Sequence, residues 1–266
     1  METNPENVIR IAHDAGEEIM KIYEDPNRLE VVSKEDNSPL TKADLAAHET
    51  IQNGLLRLDS STPIVSEEGR VGNPLRSEYA WLVDPLDGTK EFIKRNGMFT
   101  VNIALMKRNS SRWSPVFGVV YAPVTDTTWV GGLDYPAERR QKTSPTAIQV
   151  NHEPGIHVRL VASGSHRGVE DETFAAALGP HDLVRMGSSL KACVVAEGSA
   201  DLYPRFGPTS CWDIAAAHAV VEAAGGIVVG PDGRNLDYNL VDDVLNPYFL
   251  VACSPKWNQI WIENQG

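Results

Sequence analysis

The stretch Trp81-Leu82-Val83-Asp84-Pro85-Leu86-Asp87-Gly88-Thr89-Lys90 constrains the fold more than any other part of the chain. Three apolar residues run as a strand into two aspartates three apart, and the chain then turns on a glycine. A carboxylate at the end of a buried strand is costly unless something positive meets it. Pro85 fixes its own φ and limits how the turn flexes, while Gly88 permits a tight reversal. Thr89 can then open a helix whose free N–H groups face an anion. The two carboxylates and the Leu86 carbonyl make an all-oxygen donor set. Such a set suits magnesium, which prefers oxygen in octahedral array and keeps some of its waters. No Cys/His cluster with zinc spacing competes.

Other acids also stand at the ends of elements. Glu67 and Glu68 close the short strand Pro63-Ile64-Val65, just before Gly69. Asp44 follows Thr41 by three residues, the spacing of a capping box. Asp213 opens an alanine-rich helix, where an acid complements the helix dipole. Singly, each has an ordinary structural role. Together they would repel one another unless two or more cations neutralise them. The DxDGT motif of the haloacid-dehalogenase phosphatases, with its covalent aspartyl nucleophile, is the nearest look-alike. There the aspartates are two apart; here Pro85-Leu86 separates them, and the motif follows two helical segments.

At 266 residues the chain can be one large or two small domains with a full core. Lys+Arg 24 against Asp+Glu 36 gives a formal charge of −12, which repels a nucleic-acid backbone. Small anionic ligands stay possible, because bound cations invert the local field. Cys193, Cys211 and Cys253 form no CxxC and cannot all pair, so they read as reduced thiols of a cytosolic protein. The acidic, helically periodic amino end is no signal peptide, and no apolar run reaches the roughly 18 residues of a membrane span.

The patterns predict a helix from Pro5 to about Asp25, capped by Asn4, and a second from Thr41 to about Leu58. TVNIALM, VFGVVYA and TTWVGG read as an antiparallel sheet. The polar stretch 134–146 is the best candidate boundary. Beyond it strands alternate with helices, so an α+β half (1–135) precedes an α/β half (146–266).

Ser66-Glu67-Glu68, Asp84–Thr89 and Trp212-Asp213, in that order, resemble the lithium-sensitive, magnesium-dependent phosphatase superfamily that includes inositol monophosphatase and fructose-1,6-bisphosphatase. Within it, KEDNSPLTKAD, DGTKEFIKRNGMFTVNIAL, GSSLK (187–191) and LYPRFGPT (202–209) are similar to the bacterial 3′(2′),5′-bisphosphate nucleotidases. Inositol monophosphatases usually read DGTTNF where this chain reads DGTKEF. The similarity covers nearly the whole chain and is weakest at Arg70–Ser77, Gly132–His157 and Val169–Leu183.

The resemblance implies a layered αβαβα sandwich of the sugar-phosphatase type. It implies that Glu67, Asp84, the Leu86 carbonyl, Asp87 and Asp213 hold two or three Mg²⁺ ions, with Asp44 and Glu68 near a third ion or the attacking water. Glu67, Asp44 and Thr89 would orient or deprotonate that water. Glu67, Asp87, Gly88, Thr89, Lys90 and Asp213 would surround the scissile phosphate. Ser188, Ser189, Lys191, Arg205 and His166 would hold the rest of a nucleotide. The implied reaction is hydrolysis of adenosine 3′,5′-bisphosphate to AMP and phosphate by a metal-activated water. No phosphoenzyme is expected, since no Ser, Cys or His stands as an obvious nucleophile. An inositol or other sugar-phosphate phosphatase is the nearest alternative, and a non-catalytic metal or nucleotide binder the next. The expected protein is a cytoplasmic monomer or homodimer whose partner is a small nucleotide. Some relatives sit at the inner face of the plasma membrane, but nothing in this chain supplies an anchor.

Overall fold

A computed structural model of the protein describes residues 4–25, 31–33, 39–142, 144–162 and 168–265. Helix α1 (Pro5–Tyr23) starts where the sequence predicts it: Asn4 Oδ1 accepts from the Glu6 amide at 3.1 Å, and Pro5 needs no N–H partner at the first helical position. Strands β1 (Val31–Ser33) and β2 (Pro39–Thr41) form a small ribbon that leads into α2 (Lys42–Leu58). Helices α1 and α2 cover one face of an eight-stranded sheet. Its strands are β3 (Ile64–Ser66), β4 (Gly69–Val71), β5 (Tyr79–Asp87), β6 (Thr100–Asn109), β7 (Arg112–Ala122), β8 (Thr127–Gly132), β9 (Tyr135–Gln141) and β10 (Ser144–Ala147). They lie in the order β10-β9-β8-β7-β6-β5-β3-β4, antiparallel except for the β3/β5 pair. The five-residue helix α3 (Thr89–Ile93) interrupts the run between β5 and β6.

The polar stretch 134–146 carries the last two strands at one end of this sheet, β9 and the edge strand β10. Its charges and its exposed final strand suit an edge, where an apolar ribbon would invite pairing with another chain. Next come β11 (Val158–Ala162), α4 (Val169–Leu178), β12 (His181–Arg185), α5 (Leu190–Ala196), β13 (Leu202–Arg205), α6 (Cys211–Ala223), β14 (Ile227–Val229), β15 (Phe249–Ala252) and α7 (Asn258–Glu263). The second sheet runs β12-β11-β13-β15-β14. Its β11 pairs are parallel, as alternation with helices predicts, but β15 is antiparallel to both neighbours. A parallel neighbour needs a crossover, and the chain reaches β15 from β14 through 230–248 with no helix among those residues.

Three cores separate the layers. One lies between α1/α2 and the first sheet, one around α5 and α6 between the two sheets, and one between the second sheet and α4/α7. The result is the αβαβα sandwich. Helix α6 is alanine-rich and buried nearly all round, as a helix between two sheets must be. It comes so close to β7 that a Cβ on Gly118 would stand 2.1 Å from the Ala216 carbonyl oxygen. Gly118→Ala should therefore destabilise the fold by about 3 kcal/mol, an overpacking cost with backbone on both sides. Gly155→Ala, which meets nothing within 4 Å, should be near neutral in the same urea titration.

Candidate active site

The two aspartates of the opening stretch owe their common direction to a bulge. Asp84 pairs across the ladder with Asn102, and Asp87 with Thr100, so three steps on β5 oppose two on β6. On an unbroken strand, residues three apart point to opposite faces. The irregularity at Pro85-Leu86 returns Asp87 to the face of Asp84. Pro85 has no N–H to waste there. The Leu86 amide donates to Asp84 Oδ1 at 3.1 Å. Leu82 and Ala104 place this face against α5 and α6, whereas Val83, Val101 and Ile103 face α1 and α2.

Neighbouring elements bring the other acids. Strand β3 runs parallel to β5, and the Glu67 amide donates to the Val83 carbonyl at 3.1 Å, which sets Glu67 beside Asp84. The Glu68 amide donates to Ser66 Oγ at 3.3 Å, and that hydroxyl lies 3.0 Å from His48 Nδ1 on α2. Asp213 sits in the first turn of α6 and closes its capping box, accepting from the Ser210 amide at 3.0 Å. Asp44 is the expected cap of α2: its Oδ2 accepts from the Thr41 amide and hydroxyl at 2.8 and 2.5 Å. Its Oδ1 also faces the site, 3.2 Å from Thr89 Oγ1, which lies 3.3 Å from the Leu86 carbonyl oxygen. Gly88, at φ 94°, is the residue that lets the chain leave β5 and enter α3; a Cβ there would stand 3.0 Å from the Met98 carbonyl oxygen.

This convergence is visible in the acid–base chemistry. Burial, then the charges of Glu67, Asp87, Asp213 and Asp44, hold the Asp84 carboxyl well above the usual carboxylate range. Burial, with Asp87 behind it, pushes Asp213 up to about 8. Asp87 Oδ2 takes donors from Ser188 Oγ at 2.7 Å, the Ser189 amide at 2.6 Å and Ser189 Oγ at 2.6 Å. Among the described residues, no three His, Cys, Asp or Glu side chains already form a closed metal cage. The donor set nonetheless fits a hard cation. Asp84, Asp87 and Asp213 each have one oxygen held by protein donors, and among the described residues no donor reaches the other. Oxygen donors of this kind suit Mg²⁺.

Beside the acids opens a cavity of about 430 Å³, onto which Asp87 and Asp213 face. Five cations line it: Lys90, Lys94, Arg185, Lys191 and Arg205. Lys191 Nζ donates to the Ser188 carbonyl at 2.7 Å and lies 5.5 Å from the centre of the Tyr203 ring. Burial pulls its ammonium below the usual range, against the opposing charge of Asp87. Ser188 and Ser189 reach the cavity as expected, but their hydroxyls turn inward to Asp87. His166 lies outside the described residues. Lys94, Arg185, Thr100 and Asn102 escape a reading by motif. The polar Thr and Asn at alternate positions of TVNIALM, on a strand otherwise apolar, were the one available signal.

The sequence model of the inositol monophosphatase family matches residues 5–259. The chain is 46% identical over 250 residues to the 3′(2′),5′-bisphosphate nucleotidase CysQ of Escherichia coli, an alignment covering 93% of this chain and 98% of that one. It is 32% identical over 255 residues to the protein of the same name from Haemophilus influenzae, covering 92% and 91%. Among solved structures, CysQ from Bacteroides thetaiotaomicron, described as a bacterial member of the inositol monophosphatase family, superposes with a TM-score of 0.80 at 41% identity, over 94% of this chain and 97% of that one. Inositol monophosphatase from Anabaena shares the fold at a TM-score of 0.73 and 24% identity, over 97% and 95%.

The raised carboxyls give a test of the cation site. A carboxyl whose folded pKa exceeds its unfolded value favours folding at low pH. That contribution is full below about 4, the unfolded range, and is lost as pH rises. For Asp213 the loss extends to about 8. In chelator the protein should shed this stability over that interval, and Mg²⁺ should restore it by pairing with the ionised groups. The gap in Tm between Mg²⁺ and chelator should therefore widen as pH rises; a gap independent of pH contradicts the assignment.

Proposed function

This chain belongs to the inositol monophosphatase family, and we propose that within it the protein is a metal-dependent 3′(2′),5′-bisphosphate nucleotidase, removing the 3′-phosphate of adenosine 3′,5′-bisphosphate. One observation carries the substrate class. In a chain of net charge −12, five cations gather on one cavity next to a carboxylate cluster. A single phosphate ester at the acids would leave the buried Lys191 and its neighbour Arg205 with no phosphate of their own, only the carboxylates that share the cavity. A nucleotide with a second phosphate supplies one.

Glu67, Asp84, the Leu86 carbonyl, Asp87 and Asp213 would hold the cation, Mg²⁺ in two or three ions, with Glu68 and Asp44 at the margin. Bound there, magnesium neutralises phosphoryl oxygens and lowers the pKa of water. The protein's own groups do the rest. Thr89 Oγ1 has one proton, and 3.2 Å from Asp44 Oδ1 it donates there, leaving its lone pairs to accept from the attacking water. Glu67, beside Asp84, is placed to take a proton from the water's other side. Lys90 and the amides that follow Gly88 face the phosphate under attack. Lys191 and Arg205 hold the far phosphate, and the Tyr203 ring gives the cavity an apolar wall. The metal acids come mainly from the α+β half and the nucleotide contacts from the α/β half. The reading places the enzyme in the cytoplasm with its three buried thiols reduced. No helix among the described residues is long and apolar enough to cross a membrane.

Phosphate release should be fast from adenosine 3′,5′-bisphosphate, slow from inositol 1-phosphate, and abolished by chelator. Preference for the inositol ester would replace the nucleotidase with a sugar-phosphate phosphatase. Asp87→Asn and Asp213→Asn should each cut turnover by orders of magnitude with the fold intact, since losing one cation role costs several kcal/mol of transition-state stabilisation. Retained activity in either would remove that residue from the ligand set. Lithium should inhibit at magnesium levels that otherwise support turnover.

A further inference from the structure

We propose that Thr100 and Asn102 on β6 are positioning residues that tie the Gly187–Lys191 segment to Asp87, so that cation binding and nucleotide binding reinforce each other. The proposal rests on the site reading above. Both side chains are fully buried, on the face that Leu82 and Ala104 fill with apolar groups. Buried polar groups in such a place are costly unless every one of them is used.

Counting protons shows how they are used. Asn102 Nδ2 lies 2.6 Å from Ser189 Oγ and can only donate to it. Ser189 must therefore give its single hydroxyl proton elsewhere, and its reachable acceptors are Asp87 Oδ2 at 2.6 Å and the Asp213 carbonyl at 2.8 Å. Both belong to residues assigned to the cation. Thr100 Oγ1 lies 2.6 Å from Ser188 Oγ, which in turn lies 2.7 Å from Asp87 Oδ2. The carboxylate accepts, so Ser188 donates to it and Thr100 gives its one proton to Ser188 in preference to Asn102 Oδ1, which lies farther off at 3.1 Å. The Thr100–Ser188 relay thus ends on Asp87 Oδ2, where the Ser189 amide joins it, and the Asn102–Ser189 relay ends on that same oxygen or on the Asp213 carbonyl. That oxygen is fixed, and Oδ1 is left pointing free.

The same bonds hold the Ser188 backbone at φ 54°, a left-handed conformation that a serine keeps only under constraint. Lys191 donates to the Ser188 carbonyl, so the cavity lysine hangs from the segment the relays hold. Loosening Thr100 or Asn102 would free both Asp87 and Lys191. Linkage requires that a cation fixing Asp87 then favour the nucleotide, and the nucleotide favour the cation, by the same factor.

Calorimetric titration of Mg²⁺ into the intact protein, with and without AMP, tests this. Asn102→Ala and Thr100→Val should weaken Mg²⁺ binding by about 10- to 100-fold, the usual consequence of losing a partner of a metal ligand. In both, AMP should no longer tighten Mg²⁺ binding. Thr100→Ser, which returns the hydroxyl, should restore both. Val101→Ala, between them on the opposite face, should lower Tm yet leave Mg²⁺ affinity alone. The proposal is overturned if folded Thr100→Val binds Mg²⁺ as the unaltered protein does, if Thr100→Ser gives no rescue, or if Mg²⁺ and AMP bind the unaltered protein independently. A protein that shows the affinity losses but releases no phosphate from the bisphosphate would keep the positioning role and sink the nucleotidase reading.

Discussion

Mutual repulsion between the buried Asp84 and the half-buried carboxylates around it is the constraint around which this molecule is arranged. Glu67, Asp84, Asp87 and Asp213 come from three elements and two halves of the chain, and Asp84 feels all the others. Folding brings them together against their own charge. Three of them are anchored: Asp84 by a bulge amide and Asp213 by a capping amide, both local bonds, and Asp87 by two hydroxyls and an amide from the distant Ser188-Ser189 pair. Those bonds take one oxygen of each group. The other three oxygens face a space in which a cation, or at lower pH a proton, relieves the repulsion. The scaffold thus decides ligand direction before any ion arrives, which is preorganisation at the level of single carboxylate oxygens.

The layers explain why the anionic and cationic parts of the site meet. Helix α6 lies between the sheets, with Asp213 in its first turn and Gly118 beneath its middle, so its position relative to β7 is set within a fraction of an ångström. The segment before α5 crosses from the second sheet to the first and is bonded to Asp87. Lys191 and Arg205 therefore reach the acids from one side, while Lys90 and Lys94 reach the same cavity from α3. Neither half holds a complete site.

Much of this was legible in the sequence, and what was not has a physical cause. DPLD announced paired acids because a strand seldom ends on two carboxylates without a partner. Asn4-Pro5 and Thr41–Asp44 announced helix starts because capping is local chemistry. The bulge was not legible, since it depends on which residue of β6 stands opposite, and that is a tertiary fact. Nor were Thr100 and Asn102, whose meaning appears only when Ser188 and Ser189, more than eighty residues later in the chain, fold against them. The antiparallel β15 and the outer strands β9 and β10 were lost for a similar reason: their pairing is decided by neighbours, not by period.

The charge balance makes a final selection. A surface at −12 repels polyanions at a distance, so a nucleic acid gains nothing from a few cations sunk in a cavity of about 430 Å³. A small bisphosphate can enter, and inside it meets five cations beside the three carboxylates of Asp87, Glu91 and Asp213. Burial strengthens those contacts, because the fall in dielectric that penalises an unpaired Lys191 rewards the same ammonium once a phosphate faces it. The same logic governs the carboxylates, which are costly alone and favourable once a cation sits among them. An ion without its nucleotide, or a nucleotide without its ion, leaves half of the buried charge uncompensated. Physical chemistry therefore favours the two arriving as a pair, and Asp87, bonded to the segment that carries Lys191, is where that preference is built into the chain.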